Sequence, residues 1–157
     1  MEIILLTVGK TTQTYVRSGI EEFTKRLKRY TPFRIDSLPD IKAAKSMTPD
    51  IQKEKEGEAI LGCLSPSDLC VLLDEHGKEL TSMEFASYLQ KTMASGRKRA
   101  VFVVGGPYGF SKCVYGRADY KISLSKMTFT HEMVRLFFTE QVYRAMTILR
   151  NEPYHHE

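Results

Sequence analysis

Cysteine is scarce in this chain of 157 residues: Cys63, Cys70 and Cys113, an odd number with no CxxC pair. A disulfide framework or a zinc cage is therefore not expected, and a reducing cytoplasm is the default compartment. No apolar run approaches the ~20 residues that a membrane helix needs. The start, MEIILLTVGK, has an acidic second residue and no basic leader, so it reads as a first strand rather than a signal peptide. Low-complexity tracts, internal repeats and linkers are absent, which points to one domain over residues 1–157. Neither GxGxxG nor GxxxxGK[ST] occurs, so the usual dinucleotide and P-loop phosphate cradles are not expected. Glycine and proline are missing from one polar stretch where turns would need them, Ser123–Arg135 (SLSKMTFTHEMVR).

What is present alternates. Glu2–Val8 and Asp68–Leu73 read as buried strands, as does Ala100–Val104; Phe33–Leu38 and Tyr120–Leu124 read as further strands. Helical spacing covers Thr11–Arg29, Thr48 to about Cys63, Thr81 to about Ser95, Ser111–Arg117 and His131–Arg150. Thr48-Pro49 and the Thr81/Glu84 capping box mark two of the helix starts. His131 reads as a helix-start residue. Pro39–Pro49 reads as a lysine-rich surface loop, and Asp74–Gly77 as a polar turn ending a strand. Strands separated by crossover-length helices imply an α/β fold, a parallel sheet with flanking helices.

In such a sheet, ligands bind beyond the carboxyl ends of the strands. Leu73-Asp74, Gly105–Gly109 (GGPYG) and Leu124–Phe129 are the three ends that qualify. From glycine spacing alone, GGPYG is as much a tight turn as a binding loop. The last helix is apolar around most of its circumference, which predicts burial on more than one side, most simply against a second copy of the chain. Arg135 and Arg144 sit among those apolar positions and need carboxylate or phosphate partners. Net charge is only +4. The basic cluster Lys25, Arg26, Lys28 and Arg29 suits either phosphate contact or an ordinary helix carboxyl end. The closing PYHHE concentrates an aromatic ring, two imidazoles and a carboxylate, as a base-contacting element or a solvated tail.

With these residues in view, the chain resembles the smallest SPOUT methyltransferases, the RlmH group. The resemblance runs over essentially the whole chain. It is carried by VGK at 8–10, EKEGE at 54–58, LLD at 72–74, VGGPYG at 104–109, SLSKMTFTHEMVR at 123–135, EQVYRA at 140–145 and NEPYHHE at the end. The last four, in this order and spacing, are the specific ones. The resemblance implies a homodimer whose carboxyl-terminal part is threaded into a deep trefoil knot. It implies S-adenosylmethionine bound at Leu73, Gly105, Leu124, Ser125, Lys126, Met127, Thr128 and Phe129. It implies methyl transfer to N3 of pseudouridine 1915 in 23S rRNA, on the ribosome, with no metal and no membrane. His155, Arg144 and Tyr154 are then the expected catalytic residues. Arg135, His156, Lys25 and Arg29 are the expected RNA contacts. His155, then Glu140, then no protein base at all is the order of candidates for a general base. Tyr108 and His156 depart from the group's usual residues, which are acidic or small polar at the first and Arg or Lys at the second. A ribose 2′-O-methyltransferase of the same superfamily and a non-catalytic ribosome-binding protein remain the alternatives.

Overall fold

The computed structural model describes residues 1–41 and 47–156. Ten elements follow one another: β1 Glu2–Val8, α1 Thr14–Leu27, β2 Phe33–Leu38, α2 Pro49–Gly62, β3 Leu69–Glu79, α3 Ser82–Ala94, β4 Arg99–Val104, α4 Lys112–Arg117, β5 Tyr120–Ser123 and α5 His131–Leu149. The five strands form one parallel sheet in the order β2-β1-β4-β3-β5. This is the α/β sheet with flanking helices that the alternation predicts. Residues 42–46 of the expected Pro39–Pro49 loop lie outside the described residues.

The central strands β1, β3 and β4 feed both faces of the sheet. Ile3, Leu5, Val71, Phe102 and Ile122 pack with Leu27 of α1, Phe85 and Leu89 of α3, and Phe138 and Val142 of α5. Ile4, Leu6, Leu72 and Val103 pack on the other face with Ile60 of α2 and Val114 of α4. Burial on both sides is why these strands are continuous apolar runs. α5 lies between α1 and α3 and packs on both. Its wide apolar surface is therefore largely consumed inside one chain: Phe138, Val142, Ala145 and Met146 are buried, while Phe137 remains 37% exposed.

Two local features depart from the sequence reading. Asp74–Gly77 does not end a strand. β3 runs on to Glu79, and Ile122 of β5 stands opposite both Leu73 and Lys78. The four residues between form an excursion that leaves β5 and returns to it. Gly77 makes the return possible, because a Cβ there would lie 2.6 Å from the backbone of Ile122. Asp74 ties the excursion down by accepting from the His76 N–H at 2.7 Å and from the Tyr115 hydroxyl.

Arg135 is the second. Expected at the RNA, it is instead the largest fully buried side chain, 0% exposed. Its Nη2 donates to the Val8 carbonyl oxygen (2.8 Å) and its Nη1 to Thr11 Oγ1 (3.0 Å). Burial pulls its guanidinium below the usual arginine value. One turn earlier, Glu132 accepts from the Thr12 N–H (3.0 Å), the Thr12 hydroxyl (2.6 Å) and the Gln13 N–H (3.0 Å). The start of α5 thus clamps the segment between β1 and α1, and Glu132 satisfies backbone donors that precede α1.

The clamp is acid-sensitive. The Thr12 hydroxyl, followed by the Gln13 and Thr12 N–H groups, pushes the Glu132 carboxyl down to about 2 from an ordinary 4.5. A folded-state value below the unfolded one gives stability that is complete above about pH 4.5 and drains as pH falls toward 2. Glu132→Gln is expected to lower stability at pH 7 and to flatten the loss between those limits, as read from urea midpoints against pH. Parallel curves for the two proteins would contradict the clamp.

Candidate functional site

The segment that lacks glycine and proline holds its shape with its own hydroxyls. Ser123 Oγ donates to the Ser125 carbonyl oxygen (2.9 Å), and Ser125 Oγ accepts from the Met127 N–H (2.9 Å). Thr130 then caps α5, its Oγ1 accepting from the Met133 N–H at 3.3 Å. Serine and threonine turns thereby replace the glycines that a loop of this length usually uses.

Beside this loop, at the carboxyl end of β5, is a cavity of about 420 Å³. Leu124, Ser125 and Phe129 of the expected cofactor set line it. Leu80–Ser82 and Phe85 from the start of α3, Ile122 and Ser123 of β5, and Phe137 and Gln141 of α5 complete it. Leu73 stands directly behind, paired with Ile122. Gly105 lies at the end of β4, whose Val104 pairs with Leu73. Lys126, Met127 and Thr128 are on the exposed side of the loop, Met127 at 76%. The α3 and α5 walls were not legible as site residues. The only sequence signal for α3 was the Thr81 capping box, which places residues 80–82 just beyond β3.

GGPYG is a tight turn. The Gly109 N–H donates to the Gly106 carbonyl oxygen at 3.2 Å, and Gly109 has φ of 77°. Below it lies Glu56, 3% exposed, with Oε1 bound by Gln52 Nε2 at 2.9 Å and Oε2 without a partner. A Cβ on Gly106 would come within 2.3 Å of that Oε2. EKEGE and VGGPYG therefore meet in one contact. Gly106→Ala is expected to cost on the order of 1–3 kcal/mol, as overpacking does. Glu56→Ala in the same chain is expected to recover part of it, which a double-mutant cycle of urea midpoints would measure. Strict additivity would contradict the contact.

The three residues expected to be catalytic come together around a fourth. Glu140 Oε1 accepts from Arg144 Nε (3.0 Å), Arg144 Nη2 (2.7 Å) and the Tyr154 hydroxyl (3.0 Å). Arg144 Nη1 lies 3.2 Å from His155 Nδ1, and its guanidinium stacks 4.7 Å from the Tyr154 ring centre. Burial first, and then Glu140, raises the Tyr154 hydroxyl above its ordinary value, keeping it a donor. Arginine has no acceptor, so its N–H donates to Nδ1. A neutral His155 assigned on that contact carries its proton on Nε2 and presents a donor outward.

The closing segment is accordingly docked rather than trailing. The Tyr30 hydroxyl donates to Glu152, the Glu152 N–H donates to the Thr147 carbonyl oxygen at 3.0 Å, and Tyr154 packs 4.7 Å from Tyr143. His156 is exposed, as are Lys25 on α1 and Arg29 in the turn that follows it.

A hydrogen-bonded chain joins this cluster to the cavity. Ser82 Oγ donates to Gln141 Oε1 (2.8 Å), and Gln141 Nε2 donates to Glu140 Oε2 (2.8 Å). The cavity opens on the α3 side of α5. The Arg144–Tyr154–His155 cluster borders the α1 side, through Tyr143.

A family model described as "Predicted SPOUT methyltransferase" matches residues 1–155. The chain belongs to the SPOUT methyltransferase family. Three curated relatives align with the whole chain and over their whole own length, each named "Ribosomal RNA large subunit methyltransferase H". The protein of Parabacteroides distasonis is 59% identical over 157 residues. Those of Bacteroides thetaiotaomicron and Porphyromonas gingivalis are 54% identical over the same length. Within this SPOUT chain, the described residues contain no helix long and apolar enough to cross a membrane.

Proposed function

We propose that this chain methylates N3 of pseudouridine 1915 in 23S rRNA, using S-adenosylmethionine, as a homodimer acting on ribosomes in the cytoplasm. The observation that carries the reading is that a small-molecule cavity at the end of β5 and an Arg144–Tyr154–His155 cluster oriented by Glu140 occur in one chain similar from end to end to large-subunit rRNA methyltransferases.

The cavity fits the methyl donor. Its volume of about 420 Å³ falls in the range of ~300–1,000 Å³ usual for small-molecule sites. Phe85, Phe129 and Phe137 offer apolar contact for a purine. The backbone and hydroxyls of Ser123–Ser125 offer polar contact for its edge and ribose. Leu124, Ser125 and Phe129 would hold the donor, with Leu73 and Gly105 closing the site from the neighbouring strand ends and Lys126–Thr128 shaping its outer rim. Bound there, S-adenosylmethionine supplies a methyl group already activated by its sulfonium, so no metal is called for.

The remaining chemistry belongs to the protein. N3 of the base must lose its proton, and negative charge then spreads onto the flanking carbonyl oxygens. Arg144 stabilises that charge, because Glu140 aims its guanidinium and the closing segment shields it. His155 donates to a carbonyl oxygen through Nε2, and Tyr154 packs on the guanidinium. The proton itself leaves to solvent: Glu140 is occupied by three donors on Oε1 and one on Oε2, and His155 presents a donor. Of the candidates for a base, this arrangement favours none from the protein.

The cavity and the cluster flank opposite sides of α5, so a second copy is proposed to bring one chain's cluster to the other's cavity. Phe129 and Phe137, 4.8 Å apart and both 37% exposed at the cavity mouth, supply apolar surface for that contact. The family's trefoil knot is proposed for the segment that follows β4. Support comes from the return of α5 between α1 and α3 after β5 has paired with β3.

Mixing tests the dimer. Arg144→Ala chains and Ser82→Trp chains, the latter with a filled cavity, are each expected to be inactive. Co-folded together they should regain a substantial fraction of wild-type methylation. No recovery, with both variants dimeric by light scattering, would contradict shared sites.

A further inference from the structure

We infer that a second cavity, between α1 and α5, is a seat for an unpaired nucleotide of the RNA substrate, with its base against Tyr143 and its phosphate between Lys25 and Arg29. The inference rests on the RNA-methyltransferase reading above. The cavity measures about 350 Å³ and is lined by Glu22, Lys25, Arg26, Arg29, Tyr30 and Tyr143.

Its charge is not balanced internally. Arg26 is paired with Glu22 at 2.8 Å, whereas Lys25 and Arg29 form no ion pair among the described residues. Basic residues at the end of α1 would favour the helix carboxyl terminus wherever they pointed. That bland account explains neither the concavity nor the aromatic wall, which comes from a different helix. Tyr143 packs 5.8 Å from Phe23 and Tyr30 and 4.7 Å from Tyr154, and the Arg26 guanidinium sits 5.7 Å from its ring centre. An aromatic wall beside a guanidinium and two cations without ion pairs among the described residues is the composition that stacks a base and holds its phosphate.

A half-open hollow with an aromatic wall suits a base turned out of its helix better than a duplex, whose bases remain stacked and whose phosphates lie on a convex surface. Position adds a reason. Tyr154 packs on Tyr143 and donates to Glu140, so the wall of the hollow adjoins the cluster that holds Arg144 and His155. A nucleotide seated here would be a neighbour of the one undergoing reaction.

The test is fluorescence anisotropy of the full-length protein with a short labelled oligouridylate and with a duplex RNA of equal length. The single strand is expected to bind more tightly. Tyr143→Leu should weaken it roughly 5- to 150-fold, the span of one lost stacking contact, and Tyr143→Phe should restore it. Lys25→Gln with Arg29→Gln should weaken binding and reduce the salt slope of log K by about 0.7, one phosphate neutralised on a single strand. Equal affinity for single strand and duplex, or Tyr143→Leu binding like wild type, would overturn the seat. Methylation of ribosomes by the wild-type protein keeps the two ideas separate. If the wild type transfers no methyl group, the underlying reading fails. If it does, and the Lys25/Arg29 variant keeps the same KM for ribosomes, only the seat fails.

Discussion

Arg144→Ala is expected to slow single-turnover methylation of ribosomes about 100- to 1,000-fold, the usual cost of removing one group aimed at developing negative charge. Affinity for S-adenosylmethionine, measured by calorimetry, should stay within about twofold, because Arg144 does not line the donor cavity. Arg144→Lys should recover little. The guanidinium reaches Glu140 through Nε and Nη2 and His155 through Nη1 at once, and an ammonium cannot meet that fork. His155→Ala should cost less than Arg144→Ala, and His155→Gln, which keeps a donor, less again. If Arg144→Ala turned over like wild type, the charge-stabilising role would be lost. If His155→Gln were as damaged as His155→Ala, the donor role of the imidazole would be lost.

Arg135→Ala carries the largest expected loss of stability, about 3 kcal/mol, within the range for breaking a buried charged hydrogen-bond set. Three effects add. The truncation leaves a void where the largest fully buried side chain stood. It strands the Val8 carbonyl oxygen and the Thr11 hydroxyl. It removes the cation that faces Glu132 and Asp40. Arg135→Met fills more of the void and is expected to lie between the two. Urea midpoints at pH 7 measure both. A change below about 0.5 kcal/mol, the range of surface substitutions, would mean that the clamp between α5 and the β1–α1 segment does not hold the fold.

These two arginines show what was legible in the sequence and what was not. Both lie in one helix among apolar neighbours, and the demand of each for partners could be read from burial alone. The identity of the partners could not. Arg144 finds a carboxylate one turn away, a local i,i+4 contact that spacing suggests. Arg135 finds a carbonyl and a hydroxyl 124 to 127 residues distant, and only the fold brings them together. The strands were legible because burial on both faces leaves continuous apolar runs such as DLCVLL and AVFVV. The Asp74–Gly77 excursion was not, because its polar residues look like a turn and the strand resumes only through the close approach of Gly77 to β5. The wide apolar face of α5 suggested a second copy. Much of that face is covered by α1, α3 and the sheet, and the exposed remainder is concentrated at Phe137 beside Phe129.

The site was legible as segments rather than as a surface. Ser123–Phe129 could be placed at a strand end, and its hydroxyls turned out to build the loop themselves. The α3 wall could not be read, since Leu80, Ser82 and Phe85 look like the ordinary start of a capped helix. Tyr154 and His155 suggested either a mobile arm or a solvated tail. Glu152 and Glu140 hold the segment against α1 and α5, contacts that need the helices in place before they exist.

Methylation at N3 is tested by incubating the wild-type protein with methyl-labelled S-adenosylmethionine and ribosomes that lack the modification, then identifying the labelled nucleoside by mass spectrometry. The expected product is one methyl group per large subunit, recovered as N3-methylpseudouridine from 23S rRNA. Label on a ribose oxygen, or ribosome binding with no label transferred, would contradict it.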